Sequence, residues 1–251
     1  MIKYMHSSQP PVKSFQSRNQ GKQMDIITQL KQVILFNDIE AARLKIIAQD
    51  IVKRPFRRES FIFHEGDPGQ ELYLVQSGSI RVFVNGLDGN ETSIVLFGRP
   101  GDIFGELAVI DGLPRSATAV AMVDTVLLIM SRTQFRYHMR QCPQLGLNFM
   151  QELSRKLRYN TRQVDSLSSL PIPQRLARKI IELSQDYGRV QGEGVLIDML
   201  LTQANLASLI GATRESTNRS LRKFQKNGWI LYKKGYITVL DPDALHKQNR
   251  S

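Results

Sequence analysis

Short runs rich in Val, Ile, Phe and Thr recur between residues 53 and 132, at 60–64, 72–75, 80–84, 92–97, 117–122 and 125–130. Turn-forming sequences separate them: Glu65-Gly66-Asp67-Pro68-Gly69, Ser77-Gly78, Asn85-Gly86, Asp88-Gly89, Pro100-Gly101 and Asp111-Gly112. β-Branched and aromatic side chains pack well on a pleated surface, and glycine frees the backbone for tight turns. The evenly spaced series therefore predicts an all-β barrel or jelly roll. Ahead of it, the apolar spacing predicts two short helices over 25–35 and 39–52.

The period changes at Pro143, a residue suited to the first helical position. No Gly or Pro interrupts the chain from 147 to 170, and Phe149, Leu153, Leu157, Val164 and Leu167 recur at three- and four-residue spacing. Asn160 stands where this stripe calls for another apolar residue. A helix of about 25 residues would be about 37 Å long. It either packs on its own domain or forms a two-stranded seam, and a narrow stripe with a polar member favours a dimer that binds something there. Residues 168–173, Ser-Ser-Leu-Pro-Ile-Pro, read as a hinge, because proline disfavours helix in the residue before it. A helix resumes over 174–186, followed by a loop over 187–194.

Residues 201–221 fit a helix-turn-helix. Thr202 caps a first helix, Ala207 is small where two helices approach, and Gly211 supplies the turn. Thr213 caps a second helix that runs to about residue 227, where Gly228 ends it. Residues 229–231 and 236–240 then flank Lys233-Lys234-Gly235, a two-stranded wing with a basic tip. The first turns of the second helix carry Arg214, Glu215 and Arg219. Arginine can pair bidentately with guanine, and glutamate can accept from the cytosine amino group. Thr213, Ser216 and Asn218 suit phosphate contacts, with Thr202 and Lys233 beside them. Thr217 and Ser220 stand where larger aliphatic side chains are usual on the inner face.

The small residue, the turn glycine, the two caps and the wing, together with the local charge, favour this reading over an amphipathic hairpin with incidental surface charge. The net charge is +11, and residues 172–251 carry 13 basic and 7 acidic side chains while residues 22–142 carry 14 of each. That asymmetry points to a polyanion such as double-stranded DNA, although a basic solvated surface has the same charge. The single cysteine, Cys142, excludes an internal disulfide framework and a cysteine-held zinc or iron–sulfur centre. Four scattered histidines argue against a catalytic metal site; His64, His138 and Cys142 read as structural. No run approaches the ~20 apolar residues of a membrane helix. Residues 1–23 have no hydrophobic core of the secretory type and are expected to be disordered, and the chain is expected to be cytoplasmic.

Inside the β region, Gly105-Glu106-Leu107-Ala108 precedes Pro114-Arg115-Ser116-Ala117-Thr118. Arg115, Ser116 and free amides can meet one phosphate, and Glu106 can accept from a sugar hydroxyl. By chemistry alone the segment reads equally as a surface loop carrying an arginine. From about Asp25 to Leu245, however, the chain resembles the Crp/Fnr family of bacterial transcription regulators, with sensor roll, long helix, hinge and winged helix-turn-helix in the same order. These two segments are similar to that family's cyclic-nucleotide phosphate-binding cassette.

The resemblance implies that Glu106 takes the ribose 2′-hydroxyl and that Arg115 and Ser116 take the cyclic phosphate, assisted by the backbone of Gly105 and Leu107. Asn160 and Thr161 fall where cAMP-responsive members carry hydroxyl residues that meet the adenine, one from each subunit. Thr161 keeps that chemistry, Asn160 brings an amide, and Lys156 replaces a familiar arginine. Arg214-Glu215-x-x-x-Arg219 resembles the cAMP-receptor branch; an oxygen-sensing reading lacks its cysteine cluster, and a haem reading lacks a His or Cys in the middle of the roll. The expected fold is α+β. A disordered 1–23 precedes a double-stranded β-helix (jelly-roll) cyclic-nucleotide-binding domain over 24–142, a dimerisation helix over 143–170 and a winged helix-turn-helix over 171–251. The expected protein is a homodimer switched by cAMP, with cGMP or no effector as alternatives, reading a TGTGA-like palindrome and meeting RNA polymerase, with no membrane partner, catalytic residue or metal. A cupin-type enzyme would need clustered histidines, and a scaffold without a DNA role leaves the basic wing unexplained.

Overall fold

The computed structural model describes residues 26–86 and 91–250. The expectations for residues 1–25 and for the Asp88-Gly89 turn lie outside the described residues. The helix predicted over 25–35 is shorter: residues 26–30 (α1) are helical, followed by a 3-10 turn at Ile34–Phe36. Helix α2 (Ala41–Gln49) stops before residue 52, because the chain there enters a strand.

That strand, β1 (Val52–Phe56), is largely solvent-exposed and pairs antiparallel with β8 (Thr125–Ser131) alone. Being an edge strand it tolerates Pro55, and a polar exposed sequence carries no alternation to reveal it. The roll consists of two four-stranded sheets. One has the order β1-β8-β3-β6, with β3 at Glu71–Ser77 and β6 at Ile103–Phe104. The other has the order β2-β7-β4-β5, with β2 at Phe61–Phe63, β4 at Ile80–Asn85, β5 at Glu91–Phe97 and β7 at Thr118–Ala121. Tyr73, Ile80, Phe104, Leu127 and Ile129 fill the space between them. A six-residue helix, α3 (Glu106–Asp111), interrupts the predicted β region.

Ser131 caps α4 (Arg132–Gln141) in a reciprocal box with Gln134. His138 is wholly buried and sets Nε2 2.7 Å from Asp50 Oδ2, tying α4 to the end of α2. Helix α5 runs from Pro143 to Ser169. Its stripe divides into two faces. Phe149 is buried and Leu153 partly buried against the sensor core, whereas Leu147, Met150, Leu157 and Val164 are exposed, the last two at 68% and 66%. The exposed positions follow three- and four-residue steps through 147, 150, 154, 157, 161, 164 and 168, which puts Thr161 in the outward stripe. Asn160, expected in one stripe with Leu157 and Val164, is exposed as they are, and with Leu157 it also lines a cavity against the roll.

The hinge is narrower than the 168–173 expected. Leu170 is extended (φ −103°, ψ 140°), Pro171 caps α6 (Ile172–Tyr187), and Pro173 sits harmlessly in the first turn. The predicted loop at 187–194 is a hairpin, β9 (Gly188–Gln191) and β10 (Gly194–Ile197). It joins the wing strands β11 (Ile230–Lys233) and β12 (Tyr236–Val239) in one sheet of order β11-β12-β10-β9. Helices α7 (Gln203–Leu209) and α8 (Arg214–Lys226) form the helix-turn-helix, and α9 (Pro242–Arg250) packs on α6 through the buried Leu245.

The winged domain rests on its own sensor. Arg99 Nη2 donates to Gln185 O and Asp186 Oδ1, both at 3.1 Å, and its Nε donates to Asp186 O. Tyr187 Oη donates to Leu96 O at 2.9 Å, and Ser208 Oγ accepts from the Ser93 amide at 2.7 Å and donates to Glu91 O at 2.8 Å. Among the described residues no helix is long and apolar enough to cross a membrane.

Candidate functional site

Arg115 is 4% exposed, and its backbone is clipped to the preceding turn by bonds from Gly66 N to Arg115 O and from Arg115 N to Asp67 O. Its guanidinium lies over the Phe63 ring at 4.2 Å and near Tyr73 at 5.4 Å. Nη1 donates to Gly105 O at 2.7 Å and Nη2 to Glu71 O at 2.8 Å. Nε has no hydrogen-bond partner, and Arg115 forms no ion pair with a carboxylate among the described residues. Burial draws its affinity for the proton down. A desolvated cation is costly without an anion beside it, so the environment suits an incoming negative charge.

Gly105 is in the left-handed region at φ 75°, and a Cβ there would lie 2.6 Å from Arg115 Nη1. Both facts require glycine. It precedes α3, whose start has no side-chain cap, which leaves first-turn amides available to ligand oxygens. Glu106 is 8% exposed and pairs with Lys156 of α5, Nζ to Oε1 at 3.0 Å; Lys156 Nζ also donates to Ile103 O at 2.7 Å. A cavity of about 670 Å³ brings together Gly105, Glu106, Leu107, Arg115, Ser116 and Asn160. Thr161 is not among its lining residues; its Oγ1 donates to Leu157 O at 3.0 Å on the outward face.

The cavity reaches beyond the sensor. Lys179, Glu182 and Asp186 of α6 also line it. Lys179 is buried, and its Nζ donates to Gln163 Oε1 and Glu182 Oε2, both at 2.7 Å, and to Tyr159 Oη at 3.2 Å. These residues escape a sequence reading because the Lys179–Glu182 pair looks like any i,i+3 surface pair, and its other partners, Gln163 and Tyr159, stand on α5. Asp102, also on the wall, accepts from the Gly98 and Arg99 amides at 2.9 and 2.8 Å, and burial pushes its carboxyl up from the usual range.

In the winged domain, Thr202 caps α7 reciprocally with Asn205, and Thr213 Oγ1 accepts from the Ser216 amide at 3.2 Å to cap α8. Gly211 turns the chain at φ 58°. Arg214, Glu215 and Arg219 are exposed on one side of α8, and Arg219 Nη2 pairs with Glu215 Oε1 at 3.2 Å. Asn218 Oδ1 accepts from Gln203 Nε2 at 3.1 Å and so ties the two helices together. Thr217 and Ser220 are buried; their hydroxyls donate to the carbonyls four residues back, Thr213 O and Ser216 O, so no polar atom is left orphaned on the inner face. At the wing tip Lys234 (φ 53°) and Gly235 (φ 81°) form a two-residue turn between paired Lys233 and Tyr236. Lys233 is exposed, but Lys234 is the wing lysine that shares a cleft with Thr202 and Arg214.

The cyclic nucleotide-binding domain model matches residues 53–142, and the Crp-like helix-turn-helix domain model matches residues 174–248. The chain is 32% identical over 213 residues to the cyclic AMP receptor protein of Thermus thermophilus, covering 85% of this chain and 95% of that protein. It is 31% identical over 179 residues to the anaerobic regulatory protein of Bacillus subtilis, covering 71% and 75%. The crystal structure of a CRP/FNR-family transcriptional regulator, also from Thermus thermophilus, superposes with a TM-score of 0.66 at 26% identity, over 80% of this chain and 99% of that one. These matches mark a transcription factor, not an enzyme. With a cyclic nucleotide-binding roll, a long helix and a winged DNA-binding domain in order, the chain belongs to the Crp/Fnr family of DNA-binding transcription regulators.

Proposed function

We propose that this regulator is a homodimer switched by cAMP, which it binds between the roll and the long helix, and that the switched form reads a TGTGA-like palindrome and meets RNA polymerase. The observation that carries the reading is Arg115: a buried cation without a carboxylate ion pair among the described residues, its Nε unused, on a cavity it shares with Glu106 and Asn160. Arg115 and Ser116 would hold the cyclic phosphate with the backbone of Gly105 and Leu107, and in that weakly screened setting the charge pairing is stronger than in water. A ribose hydroxyl would donate to Glu106 and compete with Lys156 for it. Asn160 would face the base from its own protomer and Thr161 from the partner's helix, so the base binds well only when the two helices adopt one arrangement. Differential affinity of this kind is the only source from which a ligand can shift the equilibrium. Arg214, Glu215 and Arg219 would then read bases, with Thr202, Thr213, Ser216, Asn218 and Lys233 against phosphates.

A second reading is favoured by the Glu106–Lys156 pair: with its carboxylate already satisfied, the roll can serve a different effector, or none. One titration separates the two. Purified protein is mixed with a TGTGA-palindrome duplex at stated salt, with cAMP, with cGMP and with neither. Tightening by cAMP alone supports the first reading; equal binding in all three supports the second.

A further inference from the structure

We propose that Arg58, on the sensor roll, is a DNA-phosphate contact that carries the DNA interface across the domain boundary. The proposal rests on the winged domain's reading of DNA given above. The sensor's even charge balance conceals a local run: Lys53, Arg54, Arg57 and Arg58 occur within six residues without an acidic residue among them. They lie on and just beyond β1, the edge strand of its sheet. The turn after β1 is pinned, since the Arg58 amide donates to Asp124 Oδ1 at 2.8 Å and the Glu59 amide donates to Ala121 O at 2.8 Å. Glu59 there takes the left-handed conformation at φ 65°.

Pinned this way, Arg58 lines a cleft of about 490 Å³ whose other walls come from the winged domain: Thr202 and Gln203 where α7 starts, Arg214 where α8 starts, and Tyr232 and Lys234 in the wing. Three cations from three separate elements converge there, and no carboxylate lines it among the described residues. Among the described residues Arg58 pairs with Glu59 at 3.1 Å, where both side chains are well exposed, 59% and 78%, so the guanidinium is held weakly. Arg214 and Lys234 belong to the recognition helix and the wing, so the polyanion that meets them also meets Arg58. Arg58 stands outside the recognition helix and the wing, so the partner proposed for it is a backbone phosphate, a contact that adds affinity without sequence preference.

Full-length protein is titrated with a palindromic operator and with an unrelated duplex between 50 and 200 mM salt. Each phosphate contact contributes about 0.9 to the slope of log affinity against log salt, and two protomers contribute about 1.8. Arg58→Gln should lower the slope by that amount on both duplexes, so that the salt increase costs the variant about tenfold less affinity than it costs the parent. Arg58→Lys should keep the slope, and so should Arg57→Gln, which removes an adjacent exposed cation outside the cleft. An unchanged slope in Arg58→Gln, with Arg214→Ala still weakening operator binding, overturns the phosphate contact and leaves DNA reading intact. If Arg214→Ala is also without effect, the reading beneath the proposal fails with it. A loss confined to the operator, or a loss of cyclic-nucleotide affinity with the slope unchanged, also overturns it, by making Arg58 a base reader or part of a small-anion site.

Discussion

Arg115 donates two hydrogen bonds to main-chain carbonyls, Gly105 O and Glu71 O, and leaves Nε for something else. It therefore shapes the cassette as well as charging it. Arg115→Ala should cost about 2–5 kcal/mol of nucleotide binding, orders of magnitude in affinity, because one partner of a desolvated charge pair is gone. It should also lower the melting temperature, because two carbonyls lose their donors. Unchanged calorimetric affinity in a folded variant would remove the assignment. On α8, Arg214→Ala should cost about 1–3 kcal/mol and relax preference at one base pair, as read by competition among operator variants. Uniform weakening on every sequence would make Arg214 a phosphate contact instead. Asp102 supplies a pH test. Its carboxyl is raised by burial, so the stability it contributes when protonated, below the ordinary carboxyl range, is lost as pH rises through the raised value. Asp102→Asn should accordingly be more stable than the parent at neutral pH, with the gap closing in acid; denaturant titrations across pH that show a constant gap would contradict this. Arg115, Ser116 and Arg214 were legible in the sequence because a short motif holds each. The places of Lys179 and Arg58 were not, since α5 and the winged domain meet them only in the fold, and the sequence marked Lys156 without showing its pair with Glu106.

Elements were legible in proportion to how one-sided their burial is. β3, β4 and β8 bury much of their length and announce themselves by Val, Ile, Leu and Phe, whereas exposed β1 and the six-residue α3 do not. The long helix shows a subtler limit. Its apolar positions serve two surfaces, Phe149 and Leu153 facing the roll and Leu147, Met150, Leu157 and Val164 exposed, and a single stripe drawn through both does not separate them. The proposed homodimer would use the outward face as its contact. Leu157→Lys should weaken dimerisation, with about 1.5–3 kcal/mol lost per leucine removed from a packed seam. Asn160→Ala should leave the dimer intact and weaken nucleotide binding, because Asn160 lines the cavity. Sedimentation velocity on both variants decides it: a monomeric Asn160→Ala, or an undisturbed Leu157→Lys dimer, would exchange the roles of the two faces.

Among the described residues, the sensor and the winged domain are joined by a hinge of two residues and by the contacts of Arg99, Tyr187 and Ser208. Surface ion pairs are individually weak, but these bonds cluster on one sheet edge, and Tyr187 is packed between the domains, its phenol held firmly protonated by burial. Removing Arg99 frees Asp186 and one face of the Tyr187 ring. Arg99→Ala should speed limited proteolysis of residues 166–170, ahead of the hinge proline, several-fold and enlarge the radius of gyration, with each domain's own melting unchanged. Equal cleavage and size would show that the hinge alone sets the domain arrangement. The cavity proposed for the effector is lined from the sensor, the long helix and α6, so it lies across this joint.

Periodicity, turn glycines, caps and short motifs are local, and they were enough to announce the β-roll, the long helix, the winged helix-turn-helix and the cassette. Physical reach explains why: each of those signals acts within a few residues of its own backbone. Three things needed the folded chain. They were which face of α5 looks inward, that Lys156 closes on Glu106, and that the sensor's Arg58 meets the wing. Each depends on surfaces brought together from distant positions, where burial and distance, not neighbouring sequence, set the partner.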